Sequence, residues 1–290
     1  MAIKVGIQLF SIRNELAKDP FPTLKKVSEI GYKYIEPANH AMDKSDGVGF
    51  DMSAEDFKKT MDECNLQIVG CHLFPLLPER LPAILKYQET IGNHNVGVAM
   101  DVFPYNDMEY LQKRCELYNE MGRICKEHGM RFYYHNHYEE FQEFGDVTVY
   151  DYIMEHTDPE LVYIEMDLYW IARAGKDPID YIRRYKDRII RIHQKDFPGD
   201  CVQPMDMFNG VIRKDANIDM TLFNATKYES AFTEVGTGIL PIQDYITELQ
   251  NCPNLEYIIL EQDNTAMPSE FDSIQTSMDA FRRFKGISWD

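Results

Sequence analysis

Long hydrophobic runs are missing from this chain, and no apolar stretch approaches the roughly 18 residues that a membrane-spanning helix needs. Hydrophobic residues still make up 44% of its 290 residues, enough to build a substantial core. The start Met1-Ala2-Ile3-Lys4 runs directly into a strand pattern, so we expect no signal peptide. These features predict a soluble, globular, cytoplasmic protein without a membrane partner.

Basic side chains are scarce relative to acidic ones. The chain carries 30 Lys and Arg residues against 48 Asp and Glu residues, a formal net charge of −18. Such a charge opposes binding to nucleic acid, because that affinity is dominated by contacts of basic side chains with phosphates. The composition therefore predicts no nucleic-acid partner and favours a small ligand.

Cysteine is limited to six residues, and no two of them have the Cys-x-x-Cys spacing of a zinc or redox motif. They are Cys64, Cys71, Cys115, Cys125, Cys201 and Cys252. We expect free thiols in a reducing compartment rather than a disulfide framework or a zinc knuckle.

A glycine-rich phosphate loop is also absent after the first apolar run, where the chain reads Gln8-Leu9-Phe10-Ser11-Ile12-Arg13. An open doubly wound sheet that binds nucleotides would carry one there. Eight short apolar runs instead alternate with amphipathic helical patterns at intervals of roughly 30 residues. Because a parallel sheet closes at eight such units, we predict an α/β fold, a (β/α)8 TIM barrel in a single domain over 1–290.

The alternation of apolar runs and helical patterns is interrupted between residues 197 and 235, after the seventh apolar run. The segment is much longer than a usual connection, and it contains too many large apolar side chains to leave in water. These are Met205, Met207, Phe208, Val211, Ile212, Phe223 and Phe232. We interpret 197–235 as a lid or a partner-binding insertion, which leaves open a homo-oligomer or a hetero-complex.

Histidines and carboxylates stand at the ends of the later apolar runs. The densest group is the segment 133–141, which reads YYHNHYEEF, and Asp167, His193 and Glu261 stand near the ends of the three runs that follow. In a TIM barrel the active site lies at the carboxyl ends of the strands. The pattern therefore predicts a metal site where these strand ends converge.

Six motifs resemble, in the same order, the xylose-isomerase-like TIM-barrel family of sugar phosphate isomerases and epimerases. They are GIQLFSIR at 6–13, IGYKYIE at 30–36, HNHYEEF at 135–141, DLYW at 167–170 with AGKDP at 174–178, HQKD at 193–196, and EVGTG at 234–238. The resemblance covers nearly the whole chain. It implies a divalent metal held by the last four strands, commonly Mn2+, with Mg2+, Co2+ and Zn2+ as alternatives.

Motif by motif, the resemblance assigns Asp167, His193 and Glu261 as metal ligands. The better-known epimerases carry a Glu directly after strand five, where this chain has His135. We choose Glu140 as the remaining ligand, because similar chains with the His-Asn-His string carry Glu-Phe at this point. Three carboxylates with one imidazole also suit a hard cation. His135 stays open as the alternative.

Other site residues follow from their positions near strand ends and in the motifs. His137 is the candidate general base, since an imidazole beside a cationic centre has a depressed pKa and accepts a proton near neutral pH. Glu165 and Lys195 are second candidates for this role. Substrate contacts are expected from Gln8, Glu36, His72, Asp101 and Trp170.

The resemblance implies a metal-dependent sugar isomerase or epimerase that removes the proton next to a ketone through an enediolate. Loss of a β substituent instead would give a lyase or deglycosidase of 3-keto-sugar glycosides, which stays open. A metal-dependent phosphodiesterase and a non-catalytic sugar-binding or assembly subunit are hypotheses from other classes. The expected partner is a small keto-sugar or glycoside, without phosphate because the chain is acidic and shows no phosphate cradle.

Overall fold

A computed structural model of the protein describes residues 3–289. The strands are β1 (Lys4–Gln8), β2 (Tyr34–Glu36), β3 (Ala38–Asn39), β4 (Gln67–Ile68), β5 (His72–Leu73), β6 (Asn95–Val98), β7 (Arg131–His135), β8 (Glu143–Phe144), β9 (Val147–Thr148), β10 (Val162–Asp167), β11 (Ile189–Gln194) and β12 (Tyr257–Leu260). The α-helices are α1 (Arg13–Lys18), α2 (Pro20–Ile30), α3 (Ala54–Cys64), α4 (Leu81–Thr90), α5 (Met108–Glu127), α6 (Val149–His156), α7 (Leu168–Arg173), α8 (Pro178–Tyr185), α9 (Met220–Thr226), α10 (Ile242–Leu249) and α11 (Glu270–Phe281). Short 3-10 helices span Leu9–Ile12, Glu139–Phe141 and Glu229–Ala231.

Ten of these strands form one parallel sheet with the order β3-β5-β6-β7-β10-β11-β12-β1-β2-β4. Only Pro37 separates β2 from β3, and residues 69–71 separate β4 from β5. Because β2 pairs with β4 and β3 pairs with β5, both ends of the order lie on the same two chain segments, and the sheet curls into a barrel. The predicted TIM barrel is confirmed, with its second and third strands each interrupted once.

Helix boundaries follow the signals in the sequence, as α2 illustrates. The helix begins at Pro20, whose fixed φ suits a first turn, and it ends at Gly31, which adopts a left-handed φ of 118°. Leu24 and Val27 on its inner face are buried in the core. Burial of such apolar faces against the barrel holds the helices around the sheet and leaves the strand ends free for function.

The segment 197–235 is anchored to loops of the barrel. Arg173 Nη1 donates a hydrogen bond to Pro204 O (2.9 Å), and Gln142 Nε2 donates to the carbonyl oxygens of Lys214 (2.9 Å) and Ala216 (2.8 Å). The apolar side chains that are buried here include Met207, Ile212, Phe223 and Phe232, whereas Met205 is 37% exposed. The segment is therefore packed on the barrel, and α9 is its main regular element.

Two properties of residues 3–289 bear on the environment of the chain. No helix in this range combines the length and the apolar character that crossing a bilayer would take. The six cysteines are unpaired, and all except Cys201 are buried. The absence of disulfides agrees with the spacing of the cysteines in the sequence.

Candidate metal centre

Four side chains converge at the carboxyl ends of neighbouring strands. His135 ends β7, Asp167 ends β10, His193 lies next to the end of β11, and Glu261 directly follows β12. One potential ligand atom from each of the four lies within 4.8 Å of the others, and all four residues are buried. Because parallel strands bring their carboxyl ends to one rim of the barrel, residues far apart in sequence form one group.

The imidazole of His135 is oriented as metal ligands usually are. Its Nδ1 lies 3.1 Å from Ala99 O, and a carbonyl oxygen can only accept, so Nδ1 carries the proton and Nε2 keeps its lone pair. Nε2 is buried without a hydrogen-bond partner among the described residues. It faces Asp167 Oδ2 at 3.6 Å and Glu261 Oε2 at 4.0 Å. An unpartnered lone pair beside two carboxylates fits a cation between them.

The carboxylates of Asp167 and Glu261 provide negative charge at the same point. Asp167 Oδ1 accepts a hydrogen bond from Trp170 N at 3.0 Å, which caps α7 and leaves Oδ2 directed toward the cluster. The ammonium of Lys195 contacts both Asp167 Oδ2 and Glu261 Oε2. Although burial opposes it, Lys195 lowers the pKa of each carboxyl below its usual range. Both carboxyl groups are therefore anionic, and the space between them favours a cation.

His193 is held between two carboxylates. Its Nε2 donates to Glu36 Oε2 at 2.7 Å, and its Nδ1 lies 3.1 Å from Glu261 Oε2. Glu36 is fixed in turn by Tyr133 OH at 2.6 Å and Arg191 Nη1 at 3.1 Å. This arrangement places a proton on Nε2 and directs Nδ1 toward the cluster, as a partner behind a metal-bound histidine does.

Because Gly70 has no side chain, it leaves room for the ion pair of Glu36 and Arg191, whose Glu36 contacts His193. A Cβ built on Gly70 would lie 1.9 Å from Arg191 Nη1 and 2.3 Å from Glu36 Oε1. Any side chain there would displace one of the two groups. The break between β4 and β5 therefore contributes indirectly to the orientation of His193.

We expect Glu36→Gln to weaken divalent-cation binding by about 10- to 100-fold, because a neutral amide orients His193 and supports its basicity less well. Stability should fall as well, since Arg191 would lose its buried carboxylate partner. Competition with a chromogenic chelator measures the affinity of the folded protein. Asp101→Asn is the matched control, because Asp101 is another buried carboxylate, bound by Arg114 Nε (2.6 Å) and Tyr118 OH (2.5 Å) away from the cluster. Equal losses of cation affinity in the two variants would contradict the role of Glu36.

The structure does not place Glu140 in this cluster, so Glu140 as a metal ligand stays a prediction. The buried Glu140 carboxylate accepts hydrogen bonds from Tyr134 OH at 2.8 Å and from His137 N at 2.9 Å. Tyr134 precedes His135 in β7, so the two side chains point to opposite faces of the sheet, and Glu140 lies with Tyr134 on the helix side. Burial raises the pKa of Glu140 to about 7. His135, the alternative ligand, lies in the cluster with Asp167, His193 and Glu261.

The three candidate bases lie in different environments. His137 lines the cavity beside the cluster, and burial, reinforced by the positive charge of Lys195, lowers the pKa of His137 well below its usual range. Glu165 Oε2 is 2.5 Å from His72 Nε2, and although burial opposes it, His193 and His72 lower the pKa of Glu165 well below its usual range. Against the effect of burial, Asp167 and Glu261 raise the pKa of Lys195. His137 alone is both neutral and open to a ligand.

A cavity of about 240 Å³ opens beside the cluster and has the scale of a small-molecule site. Of the residues that the sequence suggested for substrate contacts, Gln8 and His72 line it. Glu36, Asp101 and Trp170 do not line the cavity. The carboxylates of Glu36 and Asp101 are buried and hydrogen-bonded to other side chains, and Trp170 is buried among aromatic rings. Their expected contact with substrate therefore does not fit their placement.

Most of the cavity wall had no signal in the sequence. The further lining residues are Phe10, Ala38, His40, Phe74, Ala99, Met100, Met220, Phe223, Asn224, Lys227 and Asp263. They come from loops after several strands and from α9 in the segment 197–235. Apolar residues in loops carry no periodic pattern, so only the folded chain brings them together.

Most of the chain matches a known protein family. The family model described as xylose isomerase-like TIM barrel matches residues 24–284. The chain belongs to the xylose isomerase-like TIM barrel family. This assignment confirms the resemblance that the sequence motifs indicated, and it makes the chain a member of a family of sugar-processing enzymes.

The proteins to which this chain is similar carry names of different reactions. Inosose dehydratase 2 from Bacillus cereus is 23% identical over 269 residues, covering 84% of this chain and 80% of the relative. A crystal structure of a sugar phosphate isomerase/epimerase from Parabacteroides distasonis superposes with a TM-score of 0.76 at 18% identity, covering 99% and 96% of the two chains. The IolI protein, crystallised with a bound zinc atom, gives a TM-score of 0.67 at 13% identity, covering 96% of each chain. The two structural likenesses establish the fold.

Proposed function

We propose that His135, Asp167, His193 and Glu261 hold a divalent cation. The observation that carries this proposal is His135 Nε2, a buried and unpartnered lone pair that faces two anionic carboxylates. Two imidazole nitrogens and two carboxylate oxygens are a mixed donor set that suits Zn2+, Mn2+ or Co2+. The structurally similar IolI protein was crystallised with a bound zinc atom, which supports binding of a divalent cation by this fold.

We propose further that the protein removes a proton from the carbon next to the ketone of a sugar or cyclic polyol. When bound, a divalent cation would stabilise the negative charge that develops on the ketone oxygen. His137 would accept the proton, because it is neutral and lines the cavity beside the cluster. Delivery of a proton to the opposite face of the same carbon gives an epimer, and its transfer to the neighbouring carbon gives an isomer.

A second candidate reaction shares this first step. If a hydroxyl on the next carbon leaves after the proton is removed, the product has lost water and the enzyme is a dehydratase. The relatives named inosose dehydratase, which match 84% of this chain at 23% to 24% identity, favour this outcome. The same residues would serve both reactions, since they differ only in the fate of the carbanion.

Solvent exchange tests the shared step directly. We expect the purified protein to contain about one divalent cation per chain and to incorporate deuterium from D2O at the carbon next to the ketone of inosose or of a ketohexose. Chelation of the cation should abolish the exchange. NMR of the products separates epimerisation and isomerisation from loss of water. A fully metal-loaded protein that exchanges no proton in these ketones would favour the non-catalytic binding subunit instead.

A further inference from the structure

The cavity beside the metal centre combines a buried polar side with an exposed apolar side. His135 is 1% exposed and Glu261 is 8% exposed, so both lie deep in the cavity. Phe74 and Met220 line the same cavity but are each 43% exposed. The outer part of the wall is therefore formed by large apolar side chains that are open to solvent.

Other apolar residues extend this outer wall. Phe10 and Met100 line the cavity from the segments after β1 and β6, and Phe223, which is itself buried, lines it from α9. Phe223 is fixed by stacking on Tyr138, with 5.3 Å between the ring centroids. Five large apolar side chains from four separate segments thus surround one opening. A bare sugar gains little from such a surface, because its hydroxyl groups need polar partners.

The basic side chains nearest this wall already have polar partners. Lys227 Nζ lies 3.0 Å from Asp263 Oδ1, and its ammonium is 5.8 Å from the centre of the Phe10 ring. Arg13 donates to the carbonyl oxygens of Phe10 (2.9 Å) and Asp263 (2.6 Å). A phosphate group would therefore have to compete with Asp263 for Lys227, and with two carbonyl oxygens for the Arg13 guanidinium. The outer wall is suited to a neutral, apolar group.

We propose that the outer wall, formed by Phe10, Phe74, Met100, Met220 and Phe223, binds an apolar ring attached to the sugar. The natural ligand is then a sugar with an aromatic substituent, whose sugar part reaches the metal centre and whose ring lies against Phe74 and Met220. Burial of these two exposed side chains drives the contact, and aromatic rings pack favourably on phenylalanine and on methionine sulfur. This inference rests on the proposed function, since it places the sugar at the metal centre.

Binding of two simple glycosides to the metal-loaded full chain tests the subsite. We expect phenyl β-D-glucopyranoside to bind about tenfold more tightly than methyl β-D-glucopyranoside, measured by calorimetry. Phe74→Ala and Met220→Ala should each reduce this ratio by about threefold while leaving the affinity for the methyl glycoside nearly unchanged. Both side chains are largely exposed, so the variants should fold. Val202→Ala is the matched control, because Val202 is 87% exposed outside the cavity.

The results separate the subsite from the proposed reaction. The subsite is overturned if the wild-type protein binds the two glycosides equally or binds neither. It is also overturned if both variants leave the ratio of the phenyl to the methyl glycoside affinity unchanged. If deuterium exchange nevertheless occurs, the proposed function survives without the subsite. A tenfold ratio without any deuterium exchange supports the subsite and overturns the proposed reaction.

Discussion

His135→Ala should lower the affinity for a divalent cation by more than about 100-fold, because it removes one of four ligands from a buried site. His135→Glu should recover most of this affinity, since a carboxylate can supply an oxygen donor from the same strand end. Glu140→Gln should leave the affinity within about threefold of the wild type, because Glu140 lies on the other face of the sheet. Competition with a chelator, together with the metal content of each purified variant, measures all three.

This set of variants decides between the ligands that the sequence left open. A large loss of metal in Glu140→Gln with no loss in His135→Ala would restore the choice made from the sequence. Thermal unfolding of each variant serves as the control for stability, because Glu140 also accepts buried hydrogen bonds from Tyr134 and His137. Loss of metal from a variant that keeps its melting temperature reports on the ligand itself.

His137→Ala should reduce exchange of the substrate's α proton by about 10²- to 10⁴-fold while the cation stays bound, as expected for a general base that is not a ligand. The physical reason is the combination of a neutral imidazole with a position on the cavity wall. Deuterium incorporation by NMR gives the rate, and elemental analysis gives the metal content. His94→Ala is the control, because His94 is an exposed imidazole far from the strand ends that form the cluster.

Each alternative outcome in His137→Ala assigns a different role. Near-normal exchange would assign the role of base to Glu165 or Lys195. Neither is favoured by its pKa, since the pKa of Glu165 is lowered and the pKa of Lys195 is raised. Loss of the cation would make His137 a ligand. The group that His137 forms with Glu139 and Glu140 would then be the first place to search for that cation.

Local patterns in the sequence predicted the barrel because each of its units is local. The apolar run 189–193 becomes β11, and the pattern that starts with Asp177 and Pro178 becomes α8. The positions of Asp167, His193 and Glu261 near strand ends were predictable for the same reason, since each follows or ends such a run. The sequence left the choice between His135 and Glu140 open, because it depends on which face of the sheet each side chain points to around the turn at 139–141.

The sequence by itself determined the fold and the family, and it indicated Asp167, His193 and Glu261 as ligands, because periodicity and ordered motifs act over short stretches of chain. Only the tertiary structure decided the rest. It paired His135 Nδ1 with Ala99 and placed Glu36 behind His193. It also gathered Phe10, Phe74 and Met220 around one cavity. These contacts join segments that are tens to hundreds of residues apart, and they arise from closure of the barrel, which no local pattern encodes.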